Sequence, residues 1–445
     1  MRLIKSLRHK IGTGELLRAF CTGVKSSRFY QSSNLLTALF ADSVGAVSVD
    51  SKRRLLNVKF RDGQIGVYPF VWLRDNAPEP ETMEYTEKCK ARMLLMGNLD
   101  LQITPVETKL TPDGIAIQWT SDAAPVTYSS DWLRARNLNS DSLHPWRTTE
   151  FHITETTSWC AEEIKEATKE KPDWEKMNEN STSGQYLMEQ LQKFLKYGFL
   201  IAQNAPKETG QLMKFGQTLG YMMDNHYGVQ FSVKATATPS NLAYTSKELG
   251  LHTDLPQCET APEIQALHCI SQAGAGGENQ FCDGFRVAEQ LKTEKPEVYE
   301  LLTTIPIEFV DHGIDKFPFL MACRRPTITL KRDGSLDAIY YNNQLRTWYL
   351  ETAPKQVIKV YEALKTFNDY CYQDRNLFQV KLNPGEVVMF SNNRVLHGRS
   401  GFEVSAGESS DRHLEGAYYN FDAVRSKIRH IAFELGKEDP ARVTV

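Results

Sequence analysis

The sequence has few cysteines and little excess of charge of either sign. Its 445 residues include eight cysteines, too few and too scattered for a disulfide scaffold or a paired Cys-x-x-Cys zinc ribbon. The 52 basic and 55 acidic residues leave a net charge of −3, which argues against a protein that binds nucleic acid through a basic surface. No uninterrupted apolar stretch reaches the length of a membrane span. What remains is a chain with 41% hydrophobic residues, typical of a globular protein with two or three domains.

The first 41 residues differ from this average. They contain seven basic residues and a single acidic one, Glu15. Leu3, Leu7 and Ile11 recur at helical spacing between the basic positions, so one face of the segment is apolar and the other cationic. This composition is typical of a mitochondrial transit peptide, although a basic surface helix on a cytoplasmic protein has a similar one. We therefore expect a transit peptide over residues 1–41 and a mitochondrial protein, with a cytoplasmic protein as the alternative.

Residues 42–140 have the pattern of a small N-terminal β domain, and residues 141–183 that of a polar connector with some helix. Short runs of β-forming residues are separated by turns, among them Thr-Pro-Asp-Gly at 111–114. The predicted strands are 46–49, 55–60, 66–71, 99–103 and 115–119.

Residues 184–435 form a second, larger domain in which many short strands are interrupted by few helices. Apolar residues at helical spacing, proline starts and glycine ends mark the helices. The predicted helices are 187–195, 206–219, 287–302 and 355–372. This pattern favours a β-barrel or a double-sheet jelly roll over a parallel βαβ array.

The triplet His252-Thr253-Asp254 is the first sign of chemistry in this domain. On an extended segment, residues i and i+2 project from the same face, so an imidazole and a carboxylate can converge on one metal ion. His397, which follows a predicted strand at 386–390, is the best candidate for a third ligand. Two histidines and one carboxylate form the facial triad that holds Fe(II) and leaves positions open for co-substrate and O₂. Alone, the triplet is a weak signal, because it occurs by chance and a surface Asp can simply cap a turn.

The segments around this triplet strengthen the signal. Several segments occur in the same order in one known family. They include Val71-Trp-Leu-Arg-Asp75, His252-Thr-Asp-Leu-Pro256, Asp283-Gly-Phe285, Val395-Leu-His-Gly-Arg399 and Arg412-His-Leu-Glu-Gly-Ala-Tyr418. Over residues 45–430 the sequence resembles the γ-butyrobetaine and trimethyllysine dioxygenases, and the last segment resembles the butyrobetaine branch. The resemblance implies a mainly β fold with helices, in which a double-stranded β-helix (jelly-roll) catalytic domain accompanies a small N-terminal β domain. It also implies hydroxylation of γ-butyrobetaine to L-carnitine, with trimethyllysine or another trimethylammonium compound as the alternative substrate.

The resemblance assigns cofactors and residues as well. It implies Fe(II), 2-oxoglutarate, O₂ and ascorbate as reductant, with His252, Asp254 and His397 as iron ligands, and it suggests a homodimer. Arg412 has the position for the far carboxylate of 2-oxoglutarate, with Leu267 beside it, and Arg399 is the competing candidate because a guanidinium binds a carboxylate bidentately. The substrate residues by family position are the aromatic Tyr227, Phe231, Tyr244 and Tyr418 and the amides Asn241 and Asn342. Aromatic faces suit a trimethylammonium group, although each ring could equally be core packing.

Several positions depart from the family pattern. Near the pocket, Leu255 replaces a Tyr, Phe231 a Trp and Asn279 a hydroxyl residue. The small domain of the family carries a zinc ion on three Cys and one His, and those positions hold Ala77, Glu79, Thr82 and Ala124, while Cys89 stands alone. Without thiolates or imidazole the site cannot form, so we expect no zinc. A jelly-roll protein that binds its ligand without turnover is the remaining alternative, and the complete triad argues against it.

Overall fold

The computed structural model describes residues 43–79, 83–85, 90–120, 122, 124–138, 156–178, 184–234, 244–402 and 412–435. These residues divide into two compact units, one within 43–138 and the other within 156–435. The predicted transit peptide lies outside the described residues. Among the described helices, none has both the length and the apolar character needed to cross a membrane.

The first unit is built from short antiparallel strands. Its strands are β1 (Val44–Asp50), β2 (Leu55–Phe60), β3 (Ile65–Pro69), β4 (Met83–Tyr85), β5 (Lys90–Arg92), β6 (Pro105–Thr111), β7 (Gly114–Trp119) and β8 (Val126–Ser129). Its helices are α1 (Phe70–Asp75) and α2 (Ser130–Ala135), with a 3₁₀ turn at Met96–Asn98. Strands β1, β2 and β3 form one sheet and β6, β7 and β8 another.

Aromatic residues dominate the core of this unit. Trp119, Tyr68 and Tyr128 are fully buried, and the hydroxyls of the two tyrosines donate to the backbone carbonyls of Leu133 (2.6 Å) and Leu73 (2.9 Å). The strand predicted at 99–103 was wrong, since β6 begins only at Pro105. The strand predicted over 66–71 ends at Pro69, because Phe70 and Leu73 instead bury one face of α1.

The second unit contains the remaining elements. Its strands are β9 (Phe199–Ala202), β10 (Gln230–Val233), β11 (Leu249–His252), β12 (Ile264–Ser271), β13 (Asn279–Asp283), β14 (Pro306–Ile314), β15 (Pro318–Pro326), β16 (Ile328–Leu330), β17 (Leu336–Ile339), β18 (Arg346–Leu350), β19 (Leu377–Val380), β20 (Val387–Ser391), β21 (Val395–Arg399) and β22 (His413–Tyr419). Its helices are α3 (Ala161–Ala167), α4 (Trp174–Asn178), α5 (Gln185–Tyr197), α6 (Gln211–Leu219), α7 (Gly284–Glu294), α8 (Pro296–Thr304), α9 (Pro354–Cys371) and α10 (Phe421–Glu434).

Two antiparallel sheets form the centre of this unit. The larger has the order β10-β22-β12-β20-β9 and the smaller the order β11-β21-β13-β19. Leu267 and Phe390 from the larger sheet share one buried cluster with Phe281 and Phe378 from the smaller. Two antiparallel sheets that bury their facing sides against each other are a jelly roll, so the predicted fold class is confirmed.

Two predicted helices differ in their bounds. The helix predicted over 287–302 is two helices, α7 and α8, because Pro296 has no N–H to continue the hydrogen-bond ladder and instead starts a new helix. The helix predicted over 206–219 begins only at Gln211, after Gly210 with a φ of 94°.

A buried ion pair fixes the segment ahead of α3 to the sheets. The side chains of Arg394 and Asp283 are 3% and 0% exposed, with Nη2 and Oδ2 2.7 Å apart. Arg394 Nη2 also donates to the carbonyl of Thr157 (2.6 Å), and the backbone N–H of Trp159 donates to Asp283 Oδ2 (2.9 Å). Residues 157–159 are therefore tied to β13 and to the turn before β21.

Candidate active site

The three predicted metal ligands lie together in the second unit. His252 ends β11 and is the direct register partner of His397 on β21, with ring centroids 4.2 Å apart. Asp254 Oδ1 lies 3.1 Å from His252 Nε2 and 3.6 Å from His397 Nε2. One ligand atom from each residue falls within 4.8 Å of the others, and no other such group of His, Cys, Asp or Glu occurs among the described residues.

Hydrogen bonds hold these side chains in place. His252 Nδ1 lies 2.9 Å from the carbonyl of Gly250, so Nδ1 is the donor and Nε2 is left to face a metal. The backbone N–H of Asp254 donates to Asn392 Oδ1 (2.7 Å), and Asn392 Nδ2 donates back to the Asp254 carbonyl (2.9 Å). The hydroxyl of Tyr418 donates to Asp254 Oδ2 at 2.6 Å. The chain then reverses at Leu255, whose φ of 54° is unusual for a branched side chain.

The electrostatics of the site suit a divalent cation. Burial would raise the pKa of Asp254, but His397, His252 and the Tyr418 hydroxyl together hold it below its ordinary value. Burial, followed by the charge of His252, lowers the pKa of His397 to about 3. At neutral pH the site therefore presents an ionised carboxylate and a neutral imidazole, which are the forms that bind metal. Two histidines and one carboxylate are the donor set that fits Fe(II).

The triad opens into a cavity of about 490 Å³. Its lining includes every predicted site residue in the described part of the chain, namely His252, Asp254, His397, Leu267, Arg412, Tyr227, Phe231, Tyr244, Asn342 and Tyr418. Asn241 lies outside the described residues. The three departures from the family pattern, Leu255, Phe231 and Asn279, line the cavity too.

Two arginines supply the positive charge of this cavity. Arg399 and Arg412 are 4% and 3% exposed, and both stand beside the ring of Phe402. Burial lowers the pKa of each to about 10, helped at Arg412 by the charge of Arg399. Arg399 Nη2 donates to the carbonyls of Thr245 (3.0 Å) and Lys247 (2.9 Å), which leaves it partly engaged with backbone. Two buried guanidiniums on one cavity favour an anionic ligand.

An aromatic wall faces the same cavity. Ring centroids are 5.9 Å apart between Tyr227 and Phe231 and 5.1 Å between Phe231 and Tyr418. Burial raises the phenol pKa of Tyr244 to about 12 and raises that of Tyr227 further, so both hydroxyls stay neutral. Neutral ring faces can receive a cation that has no hydrogen to donate.

Comparison with known proteins identifies the family. The sequence model "Taurine catabolism dioxygenase TauD, TfdA family" matches residues 166–418, and "Gamma-butyrobetaine hydroxylase-like, N-terminal" matches residues 47–134. The chain belongs to the TauD/TfdA dioxygenase family. It is therefore a dioxygenase that takes Fe(II), with 2-oxoglutarate as co-substrate.

The alignments with relatives of this TauD-family protein cover 83–94% of each relative's length. The γ-butyrobetaine dioxygenase of Pongo abelii is 32% identical over 376 residues, which cover 84% of this chain and 94% of the relative. That of Homo sapiens is 31% identical over 375 residues, with the same coverage of 84% and 94%. The mitochondrial trimethyllysine dioxygenase of Bos taurus is 28% identical over 371 residues, which cover 82% of this chain and 83% of the relative. The family resemblance seen in the motifs is confirmed.

Asn342 lines the cavity and also makes hydrogen bonds to the backbone. Its Oδ1 accepts from the backbone N–H groups of Gln344 (3.0 Å) and Leu345 (3.2 Å), and its Nδ2 donates to the carbonyl of Thr253 (3.3 Å). Asn342 therefore connects the segment His252-Thr253-Asp254, which carries two of the three metal ligands, to the loop after β17.

Sequence reasoning missed several residues that the TauD-family fold brings to the cavity. Gln265, Asp311 and Asp315 line it. A polar residue inside the apolar strand Ile264–Ser271 was the signal for Gln265, and a carboxylate directly after the apolar residues 307–310 was the signal for Asp311. Asn392, which orients Asp254, had no signal in the sequence, because it follows β20 and is 138 residues away from its partner.

In the first unit, an ion-pair cluster includes Glu79, one of the positions at which the resemblance implied a zinc ligand. Arg74 Nη1 contacts Glu79 Oε1 at 2.9 Å, and Arg74 Nε contacts Asp122 Oδ2 at 3.1 Å. Ala77 is buried and Ala124 exposed, and neither side chain can bind a metal. Thr82 and Cys89 lie outside the described residues.

Proposed function

We propose that this protein hydroxylates γ-butyrobetaine to L-carnitine with Fe(II), 2-oxoglutarate and O₂, and with ascorbate as reductant. The observation that carries the proposal is one cavity lined by a metal triad, by buried arginines and by an aromatic wall. The relatives that are 31–32% identical are named γ-butyrobetaine dioxygenases, and the trimethyllysine dioxygenase of Bos taurus is 28% identical.

In this proposal each group of residues has one role. His252, Asp254 and His397 would hold the iron, while Gly250, Asn392 and Tyr418 orient them. Bound iron supplies the oxidising chemistry that couples decarboxylation of 2-oxoglutarate to succinate with hydroxylation of an unactivated C–H bond.

The remaining side chains bind and enclose the reactants. Arg412 would bind the far carboxylate of 2-oxoglutarate bidentately, and Leu267 and Phe281 exclude water from the buried side of the cavity. Tyr227, Phe231, Tyr244 and Tyr418 would surround the trimethylammonium group with ring faces. Asn241 and Asn342, placed by family position, would face the polar end of the substrate.

The test is turnover with defined substrates. Purified protein is incubated with Fe(II), ascorbate and 2-oxoglutarate and with either γ-butyrobetaine or trimethyllysine, and succinate and hydroxylated product are followed by mass spectrometry. We expect succinate and L-carnitine with γ-butyrobetaine. Turnover of trimethyllysine alone would reassign the substrate within the same chemistry. Absence of turnover with any trimethylammonium compound would favour a non-catalytic jelly-roll binding protein.

We also propose that residues 1–41 direct the protein to mitochondria. Their basic, acid-poor composition supports this, as does the mitochondrial name of the trimethyllysine dioxygenase relative. A fluorescent protein fused behind residues 1–41 should colocalise with a mitochondrial marker, and a diffuse cellular signal would contradict the proposal.

Assembly and zinc content are two further expectations from the resemblance. Light scattering on the purified enzyme should give the mass of a homodimer, and a monomer mass would contradict it. Elemental analysis should find iron uptake without stoichiometric zinc, because the expected zinc positions supply no thiolate or imidazole in the described residues.

A further inference from the structure

Two carboxylates in the cavity have no role in the proposed chemistry. Asp311 lies on β14 and Asp315 just after it, on the hairpin in which β14 pairs with β15 and Asp311 stands opposite Met321. Residues 311–315 all line the cavity. Asp311 is half-buried and Asp315 exposed, which puts Asp311 on the inner wall and Asp315 nearer the mouth.

Neither carboxylate is neutralised by the protein. Within the described residues, no Lys or Arg forms an ion pair with Asp311 or Asp315. Asp311 Oδ2 accepts a hydrogen bond from Gln257 Nε2 at 3.3 Å, an amide that carries no charge. Burial raises the pKa of Asp311, and the charges of His226 and His312 act in the opposite direction. A half-buried carboxylate without a cation is costly, and a cationic ligand would remove that cost.

The charges of these carboxylates affect the tyrosines of the aromatic wall. After burial and the charge of Asp254, both Asp311 and Asp315 raise the phenol pKa of Tyr227. Asp315 also raises that of Tyr244. The charges with the largest effect on the pKa of Asp311 are those of His226, Asp315 and His312, and neither Arg399 nor Arg412 is among them. The cavity therefore combines a positive part for an anion with an acidic, aromatic part.

Another polar side chain of the same cavity has an atom without a hydrogen-bond partner in the described part of the chain. Gln265 is 3% exposed, and its Oε1 has no hydrogen-bond partner among the described residues. Its register partner on β22 is Tyr418, a member of the aromatic wall. An unpaired amide oxygen buried beside ring faces is costly, and the positive end of a ligand in contact with it would lower that cost.

We propose that Asp311 is the residue that selects for positive charge in the substrate, with Asp315 attracting the cation at the mouth and Gln265 contacting it inside. This rests on the proposed function, in which the cation is the trimethylammonium group of γ-butyrobetaine. Ring faces receive a bulky cation but also accept a neutral group of the same shape, whereas a carboxylate distinguishes the two by charge.

The experiment compares a cation with its neutral isostere. The variants are Asp311→Asn and Asp315→Asn, with Glu308→Gln as the control, because Glu308 lies on the same strand but pairs with Arg324 outside the cavity lining. The iron-loaded enzyme is assayed for KM and kcat with γ-butyrobetaine and for inhibition by 5,5-dimethylhexanoate, in which carbon replaces the ammonium nitrogen. Calorimetric titration with tetramethylammonium gives a binding readout without turnover.

For Asp311→Asn we expect KM for γ-butyrobetaine and Kd for tetramethylammonium to rise about tenfold, with kcat within about twofold and inhibition by the neutral isostere unchanged. Asp315→Asn should give a smaller rise, about threefold, that disappears at high salt. Glu308→Gln should match the parent enzyme.

Unchanged cation affinity in Asp311→Asn would overturn the inference. So would an equal loss for the cation and the isostere, which would show a structural role. If the parent enzyme binds tetramethylammonium in an Asp311-dependent way but does not turn over γ-butyrobetaine, the proposed function fails and the charge selection stands.

Discussion

The aromatic core of the first unit and the cavity of the second differ in how particular buried polar groups are used. In the first unit the buried hydroxyls of Tyr68 and Tyr128 donate to backbone carbonyls, and Arg74 joins Glu79 to Asp122. In the cavity of the second unit, Gln265 Oε1, Asn279 Oδ1 and Arg399 Nη1 have no partner among the described residues. A buried polar group without a partner costs free energy. Buried polar groups that bind other protein groups therefore stabilise the fold, whereas the cavity groups without a partner are available to ligands.

The strongest test of this comparison is the loss of a triad ligand. His252→Ala should reduce turnover at least about a thousandfold, because two ligands cannot hold iron in the geometry of three. Iron binding under anaerobic conditions should fall with it, and circular dichroism should be unchanged. Treatment of the parent enzyme with a chelator should abolish activity until Fe(II) is restored.

His430→Ala is the matched control, because that exposed side chain pairs with Glu434 and does not line the cavity. It should retain the activity and iron content of the parent enzyme. If His252→Ala keeps its activity, the ligand assignment is wrong.

The next test concerns the positive part of the cavity. Arg412→Lys should raise KM for 2-oxoglutarate about a hundredfold, because an ammonium cannot form the two parallel hydrogen bonds of a guanidinium. Arg399→Lys should raise it less, about fivefold, since Arg399 already donates to the carbonyls of Thr245 and Lys247. Steady-state kinetics with 2-oxoglutarate as the varied reactant measures both, and the reverse ranking would assign the carboxylate to Arg399.

The smallest effect is expected in the first unit. Tyr128→Phe removes the hydroxyl that donates to Leu73 and accepts from Trp119 Nε1, so the free energy of unfolding should fall by about 1 kcal/mol. Urea denaturation measures this change. Because Tyr128 lines no part of the cavity, kcat and KM should stay at the parent values, and a loss of turnover in the folded variant would contradict the separation of roles.

Sequence reasoning could find the parts of the site whose signal is local. His252 and Asp254 are two residues apart, and the family motif around His397 follows a predicted strand at 386–390, so the triad was predictable. The strand β12 (Ile264–Ser271) also has a local signal, because its apolar run is uninterrupted except at Gln265 and His268.

The rest depends on contacts between distant segments. Asp311 reaches the cavity only because the β14–β15 hairpin is placed over it, and no spacing rule connects residue 311 to residue 252. Asn342 lines the cavity, and its amide also binds backbone groups of Gln344, Leu345 and Thr253. Family position predicted where that residue lies but not which atoms it contacts.

The buried pair of Arg394 and Asp283 has a consequence for dissecting the protein. Arg394 follows β20 and Asp283 ends β13, yet both also bind residues 157 and 159, which precede the predicted jelly-roll domain at 184. A catalytic fragment that starts at residue 184 would lose the buried Trp159 and remove one hydrogen-bond partner from each charge. Both charges adjoin the strand that carries His397, because Arg394 directly precedes β21 and Asp283 is the register partner of Val395. Anyone shortening this chain for crystallisation or expression should therefore keep Thr157 and cut upstream of it.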